Sequence, residues 1–372
     1  MPVTLENADM REALARMAAN GVRFDACACD PPYHLASIVR RFGANGAAPA
    51  KSGGATGVYA RSSKGFMGKQ WDGGDIAFRA ETWALVGSVL KPGAHLVAFG
   101  AAKNAHRMTC AIEDAGFEIR DQLQWMFASG FPKSHQSAIK FEQELCERRD
   151  LADGTRQWLY KTDGEVMTAV PPFRSAEANE WWGYGTALKP AFEPIILARW
   201  PMSGASVIEN IRAHGTGAMN IDAARVGTEG GAPSQRNAGK SNGIYDNGLN
   251  GGWGKAVPGL GRWPANVAVE DGINLDGAER FFFSAKADAG DRLDSKHPTV
   301  KPVDLMRWLL RLVVPKGGHV LDCFAGSGTT GMAALAEGFD ATLIEREAEY
   351  AADIRRRIAH VSGADTPLFA AD

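Results

Sequence analysis

The sequence predicts an α/β protein built on a doubly wound, mostly parallel sheet. Three observations carry this prediction. Short apolar runs alternate with amphipathic helical stretches at both ends of the chain, the pattern of strand–helix–strand crossovers. The run "FDACAC" (24–29) stops at an acid and two prolines, as a buried strand does at the edge of its sheet. The run "HVLDC" (319–323) passes into a glycine-rich turn and then a helical stretch, the start of a nucleotide-type binding unit.

The elements follow in order. Residues 24–29 are a buried strand. Phe78, Leu85, Val86 and Val89 keep helical spacing, and "KPG" (91–93) is expected to end that helix. "HLVAFG" (95–100) reads as the next strand. Met108, Ala111, Ile112 and Ala115 form a second helical face closed by Gly116, and "FEIRDQLQWMF" (117–127) is a further strand. Near the other end, Met306, Leu309, Leu310 and Val313 share a helical face after Pro302, which suits a first-turn position. Residues 319–323 form a strand, 328–337 a helix ending at Gly338, and 341–345 another strand. Tyr350, Ile354 and Ile358 mark a last helix.

Two regions break the pattern. Residues 34–71 are rich in Gly, Ala and Ser and carry Arg40, Arg41, Lys51, Arg61, Lys64 and Lys69 with no acid. Such a loop suits either phosphate contact or a solvated surface. Residues 227–262 are dominated by Gly, Asn and Ser, with Tyr245 and Trp253 between them, and read as long loops.

Bulk properties bound the function. A chain of 372 residues fits one large domain or two moderate ones. It has no run of 18 apolar residues, so no membrane span is expected, and its first residues do not resemble a signal peptide. Five cysteines, an odd number, argue for a reducing, cytoplasmic setting over a disulfide framework. The net charge of −2 gives no global sign of nucleic-acid binding, so any basic surface is local.

The turn "HVLDCFAGSGTTG" places Gly326, Gly328 and Gly331 as G-x-G-x-x-G between a strand and a helix. Glu345 ends the next strand, where a carboxylate accepts from ribose hydroxyls. This design holds an adenosine-bearing cofactor. Asp322, four residues before Gly326, would repel the pyrophosphate of a nicotinamide dinucleotide. It suits a cofactor with an ammonium group and no phosphate, as in S-adenosylmethionine. Capping of the turn is the structural alternative for Asp322, and a first-turn helix acid the alternative for Glu345.

"DPPY" (30–33), taken with "DCFAGSGTTG" (322–331) and "HPTVKP" (297–302), resembles the amino-methylating DNA methyltransferases, which act on adenine N6 or cytosine N4. The catalytic motif precedes the glycine turn, the beta arrangement of that family. The resemblance spans about 1–130 and 190–360. It implies a Rossmann-like, seven-stranded, circularly permuted fold with an inserted target-recognition region. Residues 1–130 would be the catalytic half, 131–290 the recognition insert, and 291–372 the cofactor-binding half. The stretch "EWWGYGTALKPAFEPIILARWP" (180–201) also resembles family members, and Glu193 to Arg199 would supply the remaining strand of the sheet.

The implied chemistry follows the residues. Asp30 and the Pro31 carbonyl would accept from the exocyclic amine, and Pro32 would hold the backbone rigid. Tyr33 would stack on a base rotated out of duplex DNA. Asp before Pro-Pro-Tyr favours adenine N6. Cytosine N4 is the alternative, and a nicotinamide-dependent oxidoreductase a more distant one. The cofactor would be S-adenosylmethionine, leaving as S-adenosylhomocysteine, with no metal. Its contacts would be Asp9, Asp30, Thr299, Lys301, Asp322, Phe324, Ala325, Gly326, Ser327, Gly328, Thr329, Glu345 and Arg346. Ala8 stands where the family has a glycine before Asp9. Arg40, Arg41, Arg61, Lys64 and Lys69 would contact double-stranded DNA. A homodimer and a cognate restriction endonuclease are partners that the resemblance allows and the residues do not decide.

Cys27 and Cys29 point to one face of an extended strand. Cys110, Cys146 and Cys323 are scattered in sequence, and Cys323, beside Asp322, is expected on a neighbouring strand of the same sheet. The expectation is therefore small core residues and not a metal site, which needs three or four placed ligands.

Overall fold

Val3–Glu6 (β1) pairs in parallel with a strand from the far end of the chain, in the register Val3↔Ala341. The computed structural model describes residues 2–33, 75–128, 136–151, 155–227, 261–275, 278–285, 289–293 and 299–362, and positions 130, 134, 295 and 297. The basic stretch with Arg40, Arg41, Arg61, Lys64 and Lys69 lies outside the described residues.

After β1 come α1 (Met10–Ala19), β2 (Phe24–Cys29), α2 (Ala80–Ser88), β3 (Leu90–Phe99), α3 (Ala105–Asp114) and β4 (Glu118–Met126). The middle holds α4 (Ser137–Glu144), β5 (Cys146–Asp150), β6 (Arg156–Tyr160), α5 (Ala176–Glu180), β7 (Phe192–Arg199) and α6 (Val207–His214). The last part holds β8 (Val267–Glu270), β9 (Phe283–Ala285), α7 (Ala289–Arg292), α8 (Val303–Val313), β10 (His319–Asp322), α9 (Thr329–Glu337), β11 (Asp340–Ile344) and α10 (Ala348–Ser362).

The chain divides into two compact units, one of Met1–Pro31, Ile76–Phe127 and Phe192–Asp372, the other of Pro32–Asp75 and Ala128–Ala191. In the first unit the described strands form one sheet in the order β1-β11-β10-β2-β3-β7-β4-β8-β9. Every described pairing in it is parallel except the two made by β7, which runs against both β3 and β4. The six strands read from sequence are all present, and β1, β8 and β9 bring the sheet to nine. These strands have three or four residues, too few for an alternation to show in the sequence. The expected 131–290 insert differs from the grouping by contacts. Residues 192–290 belong with the first unit because β7, β8 and β9 are hydrogen bonded into its sheet.

All six residues of β2 are buried, as a central strand with parallel neighbours requires. Met10 and Leu14 of α1, Trp83 and Val86 of α2, and Met108 and Ile112 of α3 form one core cluster with Leu96 and Ala98 of β3. In a second layer α8 packs on α9, and α9 on α10. Trp308 of α8 stacks on Phe283 at 4.9 Å and donates its indole N–H to the Ala224 carbonyl.

The "KPG" segment does not end a helix. α2 stops at Ser88, and Lys91, Pro92 and Gly93 lie in the first half of β3. Gly93 takes φ +79°, and an added Cβ would come 2.4 Å from the Asn210 amide nitrogen. That fully buried amide donates to the Pro92 carbonyl at 2.8 Å and accepts from the Ser203 N–H at 3.0 Å. A tertiary contact from α6 therefore decides this segment, and local turn chemistry does not.

The second unit contains the antiparallel pair β5–β6 and the helices α4 and α5. Its centre is Glu142, fully buried, which accepts from the Tyr160 hydroxyl and from the N–H groups of Arg174 and Ser175. Trp181, Trp182 and Tyr184 follow α5 with exposed rings. Among the described residues no helix is long and apolar enough to cross a membrane.

Packing of α2 against the segment after β7 gives a test. A Cβ at Gly87 would meet three atoms of the Trp200 ring at 2.3–2.6 Å. Overpacking a rigid ring costs about 1–3 kcal/mol, whereas Ala in place of Gly gains about 1 kcal/mol of helix propensity. Gly87→Ala is expected to lower the melting temperature. A rise would contradict this packing.

Candidate active site

β10 ends at Asp322, which is 3% exposed. One carboxyl oxygen accepts from the Phe324 N–H at 3.0 Å and the other from the Thr330 hydroxyl at 2.5 Å. Burial pushes its pKa up to about 8, against the opposing pull of the Thr330 hydrogen bond. Asp322 is thus largely protonated near neutral pH, and its first effect is to clamp the glycine turn from both sides. The turn needs glycine where the backbone goes left-handed. Gly326 has φ +51° and Gly328 φ +76°, and a Cβ on either would come 2.9 Å from His297 Nε2 or Ile354, respectively.

The turn is tied to the next strand as well. The Ala325 N–H donates to the Ile344 carbonyl at 3.0 Å. Glu345 accepts from the Gly326 N–H and the Glu347 N–H, each at 2.8 Å, and burial raises its pKa. The Ser327 and Thr329 hydroxyls lie 3.0 Å apart. Behind the turn, fully buried Arg357 donates to the carbonyls of Ser327 and Asp291.

Asp30 leaves β2 at the same edge of the sheet, one strand from Asp322. Lys301 Nζ lies 2.7 Å from Asp30 Oδ2 and 3.1 Å from Glu193 Oε2, and 4.9 Å from the Phe99 ring centroid. Burial by itself would lower the lysine pKa. The two carboxylates outweigh it and hold the ammonium above the ordinary lysine range. Glu193 reaches this edge because β7 is reversed. Its amino end lies beside the carboxyl end of β3, with Phe99↔Ile195 in register and the Gly100 N–H donating to the Pro194 carbonyl at 2.9 Å.

The remaining expected residues fall as follows. Asp9 caps α1, accepts from the Arg11 N–H at 2.9 Å and pairs with the Arg11 guanidinium at 2.7 Å, which lowers its pKa. Its neighbour Ala8 donates to the Glu345 carbonyl at 3.1 Å, so Asp9 lies near the β11 end. Arg346 is exposed and pairs with Glu347. The Thr299 carbonyl accepts from His297 Nδ1 at 2.7 Å. Pro31 closes the first unit, and half-buried Pro32 and Tyr33 belong to the second.

Sequence reasoning missed Glu193, His297, Thr330 and Arg357 as parts of this arrangement. A signal existed for Glu193. "FEPIILAR" pairs an acid with a proline beside a buried run, as "ACDPPY" does, but at the amino end of its strand.

The cysteines correct an expectation. Scattered in sequence, Cys323 nevertheless joins Cys27 and Cys29, and the three buried sulfurs lie within 4.8 Å of one another. The neighbouring thiols of Cys27 and Cys323, together with burial, push the Cys29 thiol well above its ordinary range. Three thiols are one ligand short of a closed tetrahedral zinc site, and all three pack within the apolar core cluster.

The chain is similar to known proteins over most of its length. A family model for N6_N4_Mtase, described as DNA methylase, matches residues 24–356. The type II methyltransferase M.HindIII of Haemophilus influenzae is 25% identical over 248 residues, which are 66% of this chain and 57% of that protein. M.BglI of Bacillus subtilis, also a type II methyltransferase, is 44% identical over 59 residues, 16% of this chain and 17% of its own. The chain thus spans little more than half of the first relative and a small part of the second. Among solved structures, the M1.HpyAVI–SAM complex matches with a TM-score of 0.45 and 14% identity, covering 96% of this chain and 98% of that one. The PvuII cytosine-N4-specific DNA methyltransferase matches with a TM-score of 0.45 and 13% identity, covering 98% and 91%.

Two measurements test the geometry. Lys301→Met removes the ammonium that two carboxylates share. The expected loss is about 3 kcal/mol in urea unfolding, the lower end for a broken buried pair, since Asp30 and Glu193 keep side-chain exposures of 25% and 24%. An unchanged unfolding midpoint would contradict the ion triad. In the native protein, Cys110 alone among the five cysteines is exposed. An aromatic disulfide reagent is expected to titrate one thiol rapidly and the other four after denaturation. Rapid reaction of four thiols would refute the buried cluster.

Proposed function

The chain belongs to the N6_N4_Mtase family of DNA methylases, and we propose that it transfers a methyl group from S-adenosylmethionine to the exocyclic N6 of an adenine flipped out of duplex DNA. The observation that carries this reading is the meeting of Asp30 and Asp322 at the carboxyl ends of adjacent parallel strands, with Lys301 bound to Asp30. Ligands of doubly wound sheets bind at that edge.

When bound, S-adenosylmethionine supplies an electrophilic methyl on a sulfonium sulfur. The chain's residues suit such a group. The Glu345 carboxylate is locked at the end of β11 by two backbone N–H groups, in position for ribose hydroxyls. The turn is bordered by the carboxyl groups of Glu345 and Asp30, which favour a cation over a pyrophosphate. We assign the backbone of Phe324 to Thr329 to the cofactor cradle. Thr299 and Asp9 are assigned to its rim.

Asp30 is the acceptor for one N–H of the target amine and the Pro31 carbonyl for the other. An adenine amine is a weak nucleophile because its lone pair is delocalised into the ring. Two acceptors draw the nitrogen towards tetrahedral geometry and stabilise the charge that develops on it. Lys301 fixes the rotamer of Asp30, so the acceptor is oriented before substrate arrives. Tyr33 would stack on the flipped base. Trp181, Trp182 and Tyr184, exposed in the second unit, suit contact with DNA, together with the basic residues of 34–71.

Asp30→Asn keeps size and removes the charged acceptor. Transfer of labelled methyl groups to duplex DNA is expected to fall about 10²–10³-fold, the usual loss for one preorganised polar group, while cofactor binding persists. Wild-type rates in Asp30→Asn would overturn the assignment. Chromatography of the digested product is expected to show N6-methyladenine. N4-methylcytosine would transfer the same mechanism to the other base.

A further inference from the structure

Three thiols meet in the core at the strand ends that carry the candidate site, and the proposed reaction uses none of them. Cys27 and Cys29 stand two residues apart on β2, so both point to one face. The parallel register Leu321↔Cys27 brings Cys323, two residues further along, to the level of Cys29 and to the same face. None of the three residues is more than 2% exposed, and each sulfur lies within 4.8 Å of the other two. Leu96 and Ala98 of β3, in register with Cys27 and Cys29, belong to the same apolar cluster.

This geometry suits a three-point ligand better than a disulfide. A disulfide needs Cβ atoms about 3.8 Å apart, whereas residues two apart on a strand are separated by about 6.6 Å. It would also leave one thiol over. A ligand atom between three sulfurs needs only that the thiols turn towards a common centre.

Charge selects the kind of ligand. Zinc takes four ligands in closed sites, and this set stops at three. With three thiolates, a divalent ion leaves one excess negative charge and a monovalent ion leaves two. Uncompensated charge in an apolar core is costly. Asp322, beside Cys323, is an acid and supplies no positive charge. Hydrogen bonds from the Cys27 and Cys29 thiols lower the Cys323 pKa against the opposing effect of burial, which makes its sulfur the readiest of the three to bond. A thiophilic element of valence three, bonded once to each sulfur, carries no excess charge.

We propose that Cys27, Cys29 and Cys323 form a binding site for one trivalent arsenic atom, taken up from arsenous acid. Three As–O and three S–H bonds break, three As–S and three O–H bonds form, and three waters leave. Where Cys323 starts as a thiolate, solvent supplies its proton. Arsenic stays trivalent, so neither oxidant nor reductant takes part. Local opening of the core admits the small, neutral acid. Cys29 precedes Asp30 and Cys323 follows Asp322, so the bound atom ties together the two strand ends that present those acids. Binding needs only the fold and is independent of methyl transfer.

Intact-mass spectrometry and arsenic X-ray absorption on the full chain test this. Reduced protein is incubated with sodium arsenite and then passed through gel filtration. One arsenic per chain is expected, with three hydrogens lost. The absorption spectrum is expected to show three sulfur neighbours and no oxygen, and the protein to keep its native circular dichroism. A folded Cys110→Ser, Cys146→Ala double variant, which retains the cluster, is expected to bind arsenic as the wild type does. Cys27→Ala is expected to lose its arsenic on the column. Absorption by the wild type decides the matter if that variant fails to fold. Folded wild type that retains no arsenic would overturn the proposal. So would oxygen among the arsenic neighbours, loss of binding in the folded double variant, or binding only with loss of the native dichroism.

Discussion

A single buried ammonium organises the candidate site. Removing Lys301 from water costs several kcal/mol, and only well-placed counter-charges repay it. Two acids at 2.7 and 3.1 Å do so here. They come from separate strands, β2 and β7, and the lysine comes from the segment before α8. One ion cluster thus fixes the relative positions of three stretches far apart in sequence. The shape of the edge follows from that constraint, because Asp30 cannot turn away without leaving Lys301 short of a partner.

The reversal of β7 makes the cluster possible. In a wholly parallel sheet only residues at strand C-termini reach the ligand edge. A strand running the other way delivers its amino end there, and so Glu193 arrives opposite Asp30. The glycine turn is held by independent means. Asp322 clamps it through Phe324 and Thr330, Glu345 through the Gly326 N–H, and Arg357 from behind through the Ser327 carbonyl. The two neighbouring acids divide the labour, Asp322 shaping the turn through Phe324 and Thr330 and Asp30 pairing with Lys301.

Much of this was legible in the amino-acid order. Apolar runs located β2, β3, β4, β10 and β11, the family resemblance of 180–201 located β7, and the glycine spacing located the turn before α9. These features are local, so a linear reading finds them. What escaped depends on tertiary contact. The "KPG" segment became strand because Asn210 of α6 satisfies it. β8 and β9 were too short to announce themselves. Cys323 was expected on a strand neighbouring Cys27 and Cys29, but the meeting of the three sulfurs follows from the parallel register of β10 with β2. Glu193 was read as strand residue only, since nothing in a sequence states which way a strand runs.

The account's central claim is that this chain methylates an exocyclic amine of DNA. The most direct measurement is modification-detecting sequencing of DNA from a methylation-deficient host that expresses the full chain. The account predicts N6-methyladenine at one recurrent sequence motif, absent from the same host expressing Asp30→Ala. Unmodified DNA from cells holding folded, cofactor-binding protein would contradict it, as would modification that persists with Asp30→Ala.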